Sequence, residues 1–217
     1  MNKGIILLSG GLDSLVSLGI GEYNIELAIT FNYGQKSFKD EVLASKKICE
    51  YYNVKHEVID LPWLEKITHT ALVSDKEVPQ NPENFEQSMK NVWVPNRNGL
   101  FLNIAAAYAD AEYYDYILIG ANKEEAQTFS DNTQEFIDRI NAEFEYSTIK
   151  KPKVIAPLIN FDKNDIVKVA LQKGIPLQFV KSCYIGGEKH CGKCESCIRL
   201  KQALLNNNDT IYIKELF

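Results

Sequence analysis

Four short apolar runs, separated by stretches of helical period, constrain this chain more than any other feature. "KGIILLS" (3–9), "IELAITFNY" (25–33), "VKHEVIDL" (54–61) and "YDYILIGA" (114–121) are rich in Ile, Val and Leu and read as buried strands. Between them, residues 37–53 open at a capping Ser37 and set Val42, Cys49 and Tyr52 on one side. Residues 98–114 place Leu100, Ile104, Tyr108 and Ala111 on one stripe, with Asn98 as the expected cap. Phe136, Ile140 and Phe144 recur at intervals of four in residues 131–144, and residues 162–174 start at a capping Asp162 and stop at Gly174. Strands that alternate with helices predict a parallel sheet covered on both faces, an α/β fold. With 217 residues, 45% of them hydrophobic, the chain suffices for one sizeable core. Thr70 to Trp93 has the weakest pattern and reads as a surface excursion, a candidate lid.

The first strand runs into "SGGLDS", residues 9–14, where a helix begins. In a parallel sheet, ligands bind beyond the carboxyl ends of the strands. Gly10 and Gly11 would let the chain turn sharply and let a phosphate approach the backbone. The N–H groups of the following helix favour an anion. Ser9 and Ser14 add hydroxyls, and Asp13 could hold a Mg²⁺ that neutralises phosphate charge. The bland alternative is a plain strand–helix turn. The loop is neither a Walker A motif nor GxGxxG.

Cys183, Cys191, Cys194 and Cys197 are spaced C-x7-C-x2-C-x2-C, while Cys49 stands apart on the apolar side of a predicted helix as a core thiol. Four thiolates make the closed tetrahedral shell of one structural zinc ion. An iron–sulfur cluster stays open as the alternative, although the chain lacks the trailing Cys-Pro of that spacing. His190 reads as a bystander beside four cysteines.

The net charge of −5 argues against stable binding of long nucleic acid. No apolar run reaches the roughly 18 residues of a membrane span. "MNKGIILLSGG" lacks a small-residue cleavage site and reads as the first strand of a cytoplasmic protein rather than a signal peptide.

"SGGLDS" after an N-terminal strand resembles the PP-loop of the N-type ATP pyrophosphatases. That resemblance implies a Rossmann-like sheet of the adenine nucleotide α-hydrolase type and cleavage of ATP between its α and β phosphates. Residues Leu8, Ser9, Gly10, Gly11, Leu12, Asp13, Ser14, Leu15, Val16, Ser17 and Leu18 would then hold ATP. In "PLINFDKNDIV" (157–167), Lys163 matches the lysine that such enzymes carry at a helix start to reach the phosphates. Its bland reading is a solvated lysine.

With "FNYGQ" (31–35), "VPNRNGLFLNIAAAYA" (94–109), "GANKEE" (120–125) and the closing "SCY…CGKCESC", the chain resembles the QueC family of 7-cyano-7-deazaguanine synthases nearly end to end. The resemblance implies that 7-carboxy-7-deazaguanine and ammonia become the nitrile. Two ATP molecules, used with Mg²⁺, would leave as AMP and pyrophosphate. Asp13, Arg97 and Lys163 would be catalytic. Gln35, Lys123, Glu124 and Asp131, with Arg97, are candidate substrate contacts. The change of pattern after residue 180 sets residues 1–180 as the ATP unit and residues 181–217 as a zinc knuckle and helix packed on it, and the resemblance implies a homodimer.

Two departures bear on base recognition. Ser37 stands where the family commonly has histidine, and "TFSDNTQEF" (128–136) keeps Asp131 but has Asn132 and Thr133 where Cys and Arg are usual. Rival readings are a PP-loop enzyme acting on tRNA or protein, or a non-catalytic zinc-knuckle binding module.

Overall fold

The computed structural model describes residues 2–84 and 90–217. Among them, five parallel strands lie in the order β3-β2-β1-β4-β5: β1 (Gly4–Leu7), β2 (Ile25–Asn32), β3 (Lys55–Asp60), β4 (Tyr116–Leu118) and β5 (Lys153–Ile155). β1 is central, with Ile6 opposite Ala28 on one side and Leu118 on the other. Because the winding reverses between β1 and β4, a crevice opens beyond their carboxyl ends.

Alternating side chains of the strands separate the two cores. Ile6 and Leu8 face one way, into a cluster with Leu15 and Val16 of α1 (Leu12–Gly19), Ile48 and Cys49 of α2 (Phe38–Tyr52), and Ile166 and Val167 of α7 (Lys163–Lys173). Ile5 and Leu7 face the other, against Leu102 and Ala106 of α4 (Arg97–Glu112) and Ile140 and Phe144 of α6 (Gln134–Ser147). α3 (Pro62–Ile67) follows β3, and the short α5 (Lys123–Ala126) follows β4. Leu200 and Leu204 of α8 (Glu195–Asn206) and Leu216 of α9 (Ile211–Leu216) join the first cluster, so the C-terminal segment is part of the core.

Local chemistry sets several boundaries. Asp162 and Asp165 form a capping box at the start of α7, and Gly174 ends it at φ 64°. Ser37 stands at the N-cap of α2, but its hydroxyl is donated to Glu41 Oε1 at 2.5 Å. Asn98 is not a cap. Asn96 takes that position in the left-handed region at φ 51°, and Asn98 lies buried within α4 with its Nδ2 donating to Asp131 O. Residues 130–132 form a 3₁₀ turn, so α6 begins only after the capping Thr133. The excursion from Thr70 is partly interior. Ala71 and Val78 pack against the cysteines, Gln80 bridges Cys194, and the part of it at 85–89 lies outside the described residues. No helix among the described residues is long and apolar enough to cross a membrane.

Candidate active site

Gly10 has φ +74°, and a Cβ there would meet Ala44 Cβ at 2.8 Å and Glu41 O at 3.0 Å. Glycine is therefore required both by the backbone and by the helix packed behind it. Gly11 occupies the N-cap of α1 with no side chain to offer, which leaves the helix start open to a ligand. The two serines brace the turn: Ser9 N–H donates to Ser14 Oγ at 3.3 Å, and Ser14 Oγ donates to Gly11 O at 3.1 Å. From the far end of the chain, Lys181 N–H donates to Gly10 O at 2.7 Å and Ser182 Oγ accepts from Leu12 N–H at 3.3 Å. Gly120, just past β4, brings the other lip close: a Cβ there would lie 2.9 Å from Ser14 N.

Over this loop opens a cleft lined by Leu8, Ser9, Gly11, Leu12, Asp13 and Ser14, with Arg97, Glu125 and Lys163 opposite. Gly10 packs behind it, and Leu15, Val16, Ser17 and Leu18 are buried in α1 behind the loop. Lys163 Nζ lies 2.5 Å from Asp13 Oδ2 and 3.3 Å from Glu125 Oε1. Burial alone would lower the lysine's pKa, but the two carboxylates raise it well above its ordinary value, so it stays a cation. Burial pushes Asp13 up against the pull of Lys163. Glu125 is pushed up by burial too, yet Lys163 and Arg97 together hold it below the ordinary range. Asp13 Oδ1 is buried with no hydrogen-bond partner among the described residues. An orphaned carboxylate oxygen beside the cleft is suited to a Mg²⁺ ion.

Glu125 is a residue that sequence reasoning missed. Asn122, fully buried, caps α5 by accepting from the N–H groups of Glu124 and Glu125, and its Nδ2 donates to Glu125 Oε1 at 3.1 Å. The cap thereby aims the second acid of "GANKEE" at Lys163. Glu124 points elsewhere: its Oε1 accepts Lys163 N–H at 2.9 Å and its Oε2 takes Arg199 Nη1 at 2.6 Å. Lys123 is exposed and is not among the residues that line the cleft. Gln35 is buried and spends its amide on Tyr33 N–H, Phe31 O and Glu41 Oε2. It holds Glu41, another missed cleft acid, whose pKa is pushed up by burial. Arg97 faces Tyr33, whose hydroxyl burial keeps neutral, and the carboxylates of Glu125 and Asp131, and although burial alone would lower its pKa it is raised and stays a cation.

The four cysteines come together as their spacing predicts. All four sulfurs lie within 4.8 Å of one another, and Cys191 and Cys197 are 3.8 Å apart. A tetrahedron with metal–sulfur arms of about 2.3 Å has edges of about 3.8 Å, so the cluster fits a zinc ion. The N–H groups of Lys193 and Cys194 point at Cys191 Sγ from 3.4 and 3.3 Å. His190 is not part of the cluster. Its Nε2 accepts Ser182 N–H at 3.0 Å and its Nδ1 bonds Leu216 O, which ties the knuckle to the residue that holds Leu12. A second tie runs from Tyr184 OH to Glu195 Oε2 at 3.1 Å, from Glu195 to Arg199, and from Arg199 to Glu124.

The model of the family described as Queuosine biosynthesis protein QueC matches residues 3–208. The chain belongs to the QueC family. It is 49% identical to the 7-cyano-7-deazaguanine synthase of Carboxydothermus hydrogenoformans, with 94% of this chain and 98% of that one covered. It is 47% identical to the Methanosarcina mazei protein of the same name, with 94% of each covered. Among solved structures, NMN synthetase from Francisella tularensis resembles it at a TM-score of 0.51 and 15% identity, covering 98% of this chain and 81% of that one. At that identity the likeness concerns the fold. This QueC chain carries its acids and its lysine around the loop that follows β1, at the switch point of the sheet.

Proposed function

We propose that the protein converts 7-carboxy-7-deazaguanine and ammonia to 7-cyano-7-deazaguanine at the expense of two ATP molecules. The reading is carried by membership of the QueC family along nearly the whole chain, together with the Asp13–Lys163–Glu125 cluster at the open start of α1. In the first half-reaction a carboxylate oxygen attacks the α-phosphorus, and the bond to the β-phosphate oxygen breaks. Ammonia then adds to the acyl carbon, loses a proton, and AMP departs to leave the amide. In the second half-reaction the amide oxygen attacks a second α-phosphorus. Loss of the N–H protons with cleavage of the C–O bond gives the nitrile and a second AMP.

The residues serve these steps by position and charge. The backbone N–H groups of Asp13 and Ser14 in the first turn of α1 face the departing pyrophosphate, those of Gly11 and Leu12 being taken by Ser9 and Ser182, and Lys163 supplies a positive charge beside it. Asp13 and Glu125 orient Lys163, and Asp13 Oδ1 would hold a Mg²⁺ ion, which would neutralise phosphate charge. Arg97, kept cationic on the opposite wall, binds the substrate carboxylate or the α-phosphate. The four cysteines hold one structural zinc. On this reading residues 1–180 form the nucleotide-handling unit and residues 181–217 a knuckle packed on it, in a cytoplasmic homodimer.

Mass spectrometry of a reaction holding 7-carboxy-7-deazaguanine, ammonium, Mg²⁺ and ATP tests the reading. Nitrile with AMP is expected. ADP, or no turnover by folded, metal-replete protein, would overturn it and favour another acceptor such as tRNA or protein.

A further inference from the structure

The cleft does not end at Arg97. A recess of about 40 Å³ opens off it, and Arg97, Glu125 and Asn132 line both spaces. Its other walls are apolar: Leu72, Val92 and Val94 are buried, and Trp93 and Phe129 stack with centroids 5.1 Å apart and planes within 24°. A space of this size holds a few water molecules or one edge of an aromatic ring, not a fused bicycle. It adjoins the phosphate cleft across Arg97, Glu125 and Asn132.

Two carboxylates line this slot: Glu125, whose Oε1 is taken by Asn122 Nδ2 and Lys163 Nζ, and Asp131. Asp131 Oδ1 accepts Asn132 Nδ2 at 3.0 Å, and the Asp131 backbone carbonyl accepts Asn98 Nδ2 at 3.3 Å, so the carboxylate is held by Asn132 and its backbone by Asn98. Burial pushes its pKa up and the Arg97 charge pulls it down. Asp131 balances the charge of Arg97, and a carboxylate oxygen turned into the slot repels phosphate. It suits a ligand that presents donors. Two carboxylate oxygens have acceptor sites left over after one bond from Asn132, and they match two parallel N–H groups in one plane.

Resting on the function proposed above, we infer that Asp131 is the specificity-determining contact for the base. It accepts the ring N–H and the exocyclic amino group of the deazaguanine pyrimidine edge. That edge enters the recess against Trp93 and Phe129, and the five-membered ring stays in the cleft with its 7-carboxylate at the rim beside Arg97. A ligand held this way brings its reacting carboxylate to the wall that the recess and the ATP cleft share. The place of Asn132 and Thr133 after Asp131 then matters less than the acid itself, since Asn132 serves to steady it.

Calorimetric titration of the metal-replete protein with 7-carboxy-7-deazaguanine and with its analogue lacking the 2-amino group tests this. The wild type is expected to prefer the amino-bearing ligand by roughly 10- to 100-fold, the discrimination typical of a bidentate pair. Asp131→Asn and Asp131→Ala are expected to compress that preference to about threefold or less, while binding of a non-hydrolysable ATP analogue stays intact and reports a folded cleft. Equal wild-type affinity for the two ligands overturns the assignment, as does a preference that survives in either variant, and both leave the proposed reaction standing. A wild type that binds ATP but neither deazapurine overturns the assignment and the proposed reaction together.

Discussion

Arg199 Nη1 stands 2.6 Å from Glu124 Oε2, and that ion pair ties α8, at the end of the cysteine knuckle, to α5, whose Glu124 in turn holds the start of the helix that carries Lys163. Glu124 uses its other oxygen on the Lys163 backbone N–H, and Arg199 is held by Glu195, next to Cys194. The knuckle therefore sets the position of a catalytic helix, although none of its cysteines lines the cleft. Arg199→Ala is expected to lower kcat by about 10- to 100-fold, the usual result of a small misplacement of a reacting group. Arg199→Lys, which keeps the charge, should recover part of the loss. Steady-state AMP release by both variants checks it.

Metal analysis is expected to find one zinc per chain, lost in Cys197→Ser. Cys197 is buried and its sulfur lies 3.8 Å from that of the partly exposed Cys191, so removing it opens the shell. Chelation should lower the melting temperature and weaken ATP binding in parallel, because Ser182 and Lys181 next to the knuckle hold Leu12 and Gly10. Thermal denaturation with and without a nucleotide, before and after chelation, measures both.

Lys163→Ala removes the cation that Asp13 and Glu125 surround. A loss of roughly 10²–10³ in kcat is expected, as for deletion of one transition-state donor. Pyrophosphate release followed in single turnover separates this from a fault in product release.

Gly120→Ala would place a methyl 2.9 Å from Ser14 N and 3.0 Å from the Asp13 carbonyl carbon, both backbone atoms that cannot swing aside. Overpacking of this kind costs about 1–3 kcal/mol. Urea denaturation should show that loss, and ATP affinity should fall with it because the strain falls on the phosphate loop.

His56 links stability to pH. Thr30 Oγ1 donates its one hydrogen to Leu8 O at 2.6 Å, so His56 Nε2, 2.8 Å away, must donate to Thr30. Burial lowers the imidazole pKa from 6.5. Folding thus favours the neutral ring, and the unfolded chain takes up the proton first as pH falls. The stability this ring contributes is fully present above its unfolded value of about 6.5 and is lost as pH drops through the lower folded value. Urea midpoints measured from pH 7.5 down to 5 should fall less steeply in His56→Gln than in the wild type.

The phosphate loop, the cysteine cluster and four of the strands are legible because each is written in a short local pattern. Residues 152–157 hide β5, whose three residues lie between Pro152 and Pro157 and show no clear period. The helix start at 96–98 is obscured because the left-handed turn falls on Asn96 rather than on a glycine. Glu124 and Glu125 are adjacent acids about 100° apart on a helical turn. Which of them meets Lys163 depends on the buried Asn122 cap, a tertiary feature. Glu41 is reached only through the loop that Gln35 folds against it, so no spacing rule exposes it.

Oxygen transfer from doubly ¹⁸O-labelled 7-carboxy-7-deazaguanine tests the central claim most directly. If both the carboxylate and the amide are adenylated, each carboxyl oxygen leaves on a phosphorus, and mass spectra should show two singly labelled AMP molecules for each nitrile. Unlabelled AMP, or label appearing in water or inorganic phosphate, would contradict adenylation of the substrate at this cleft.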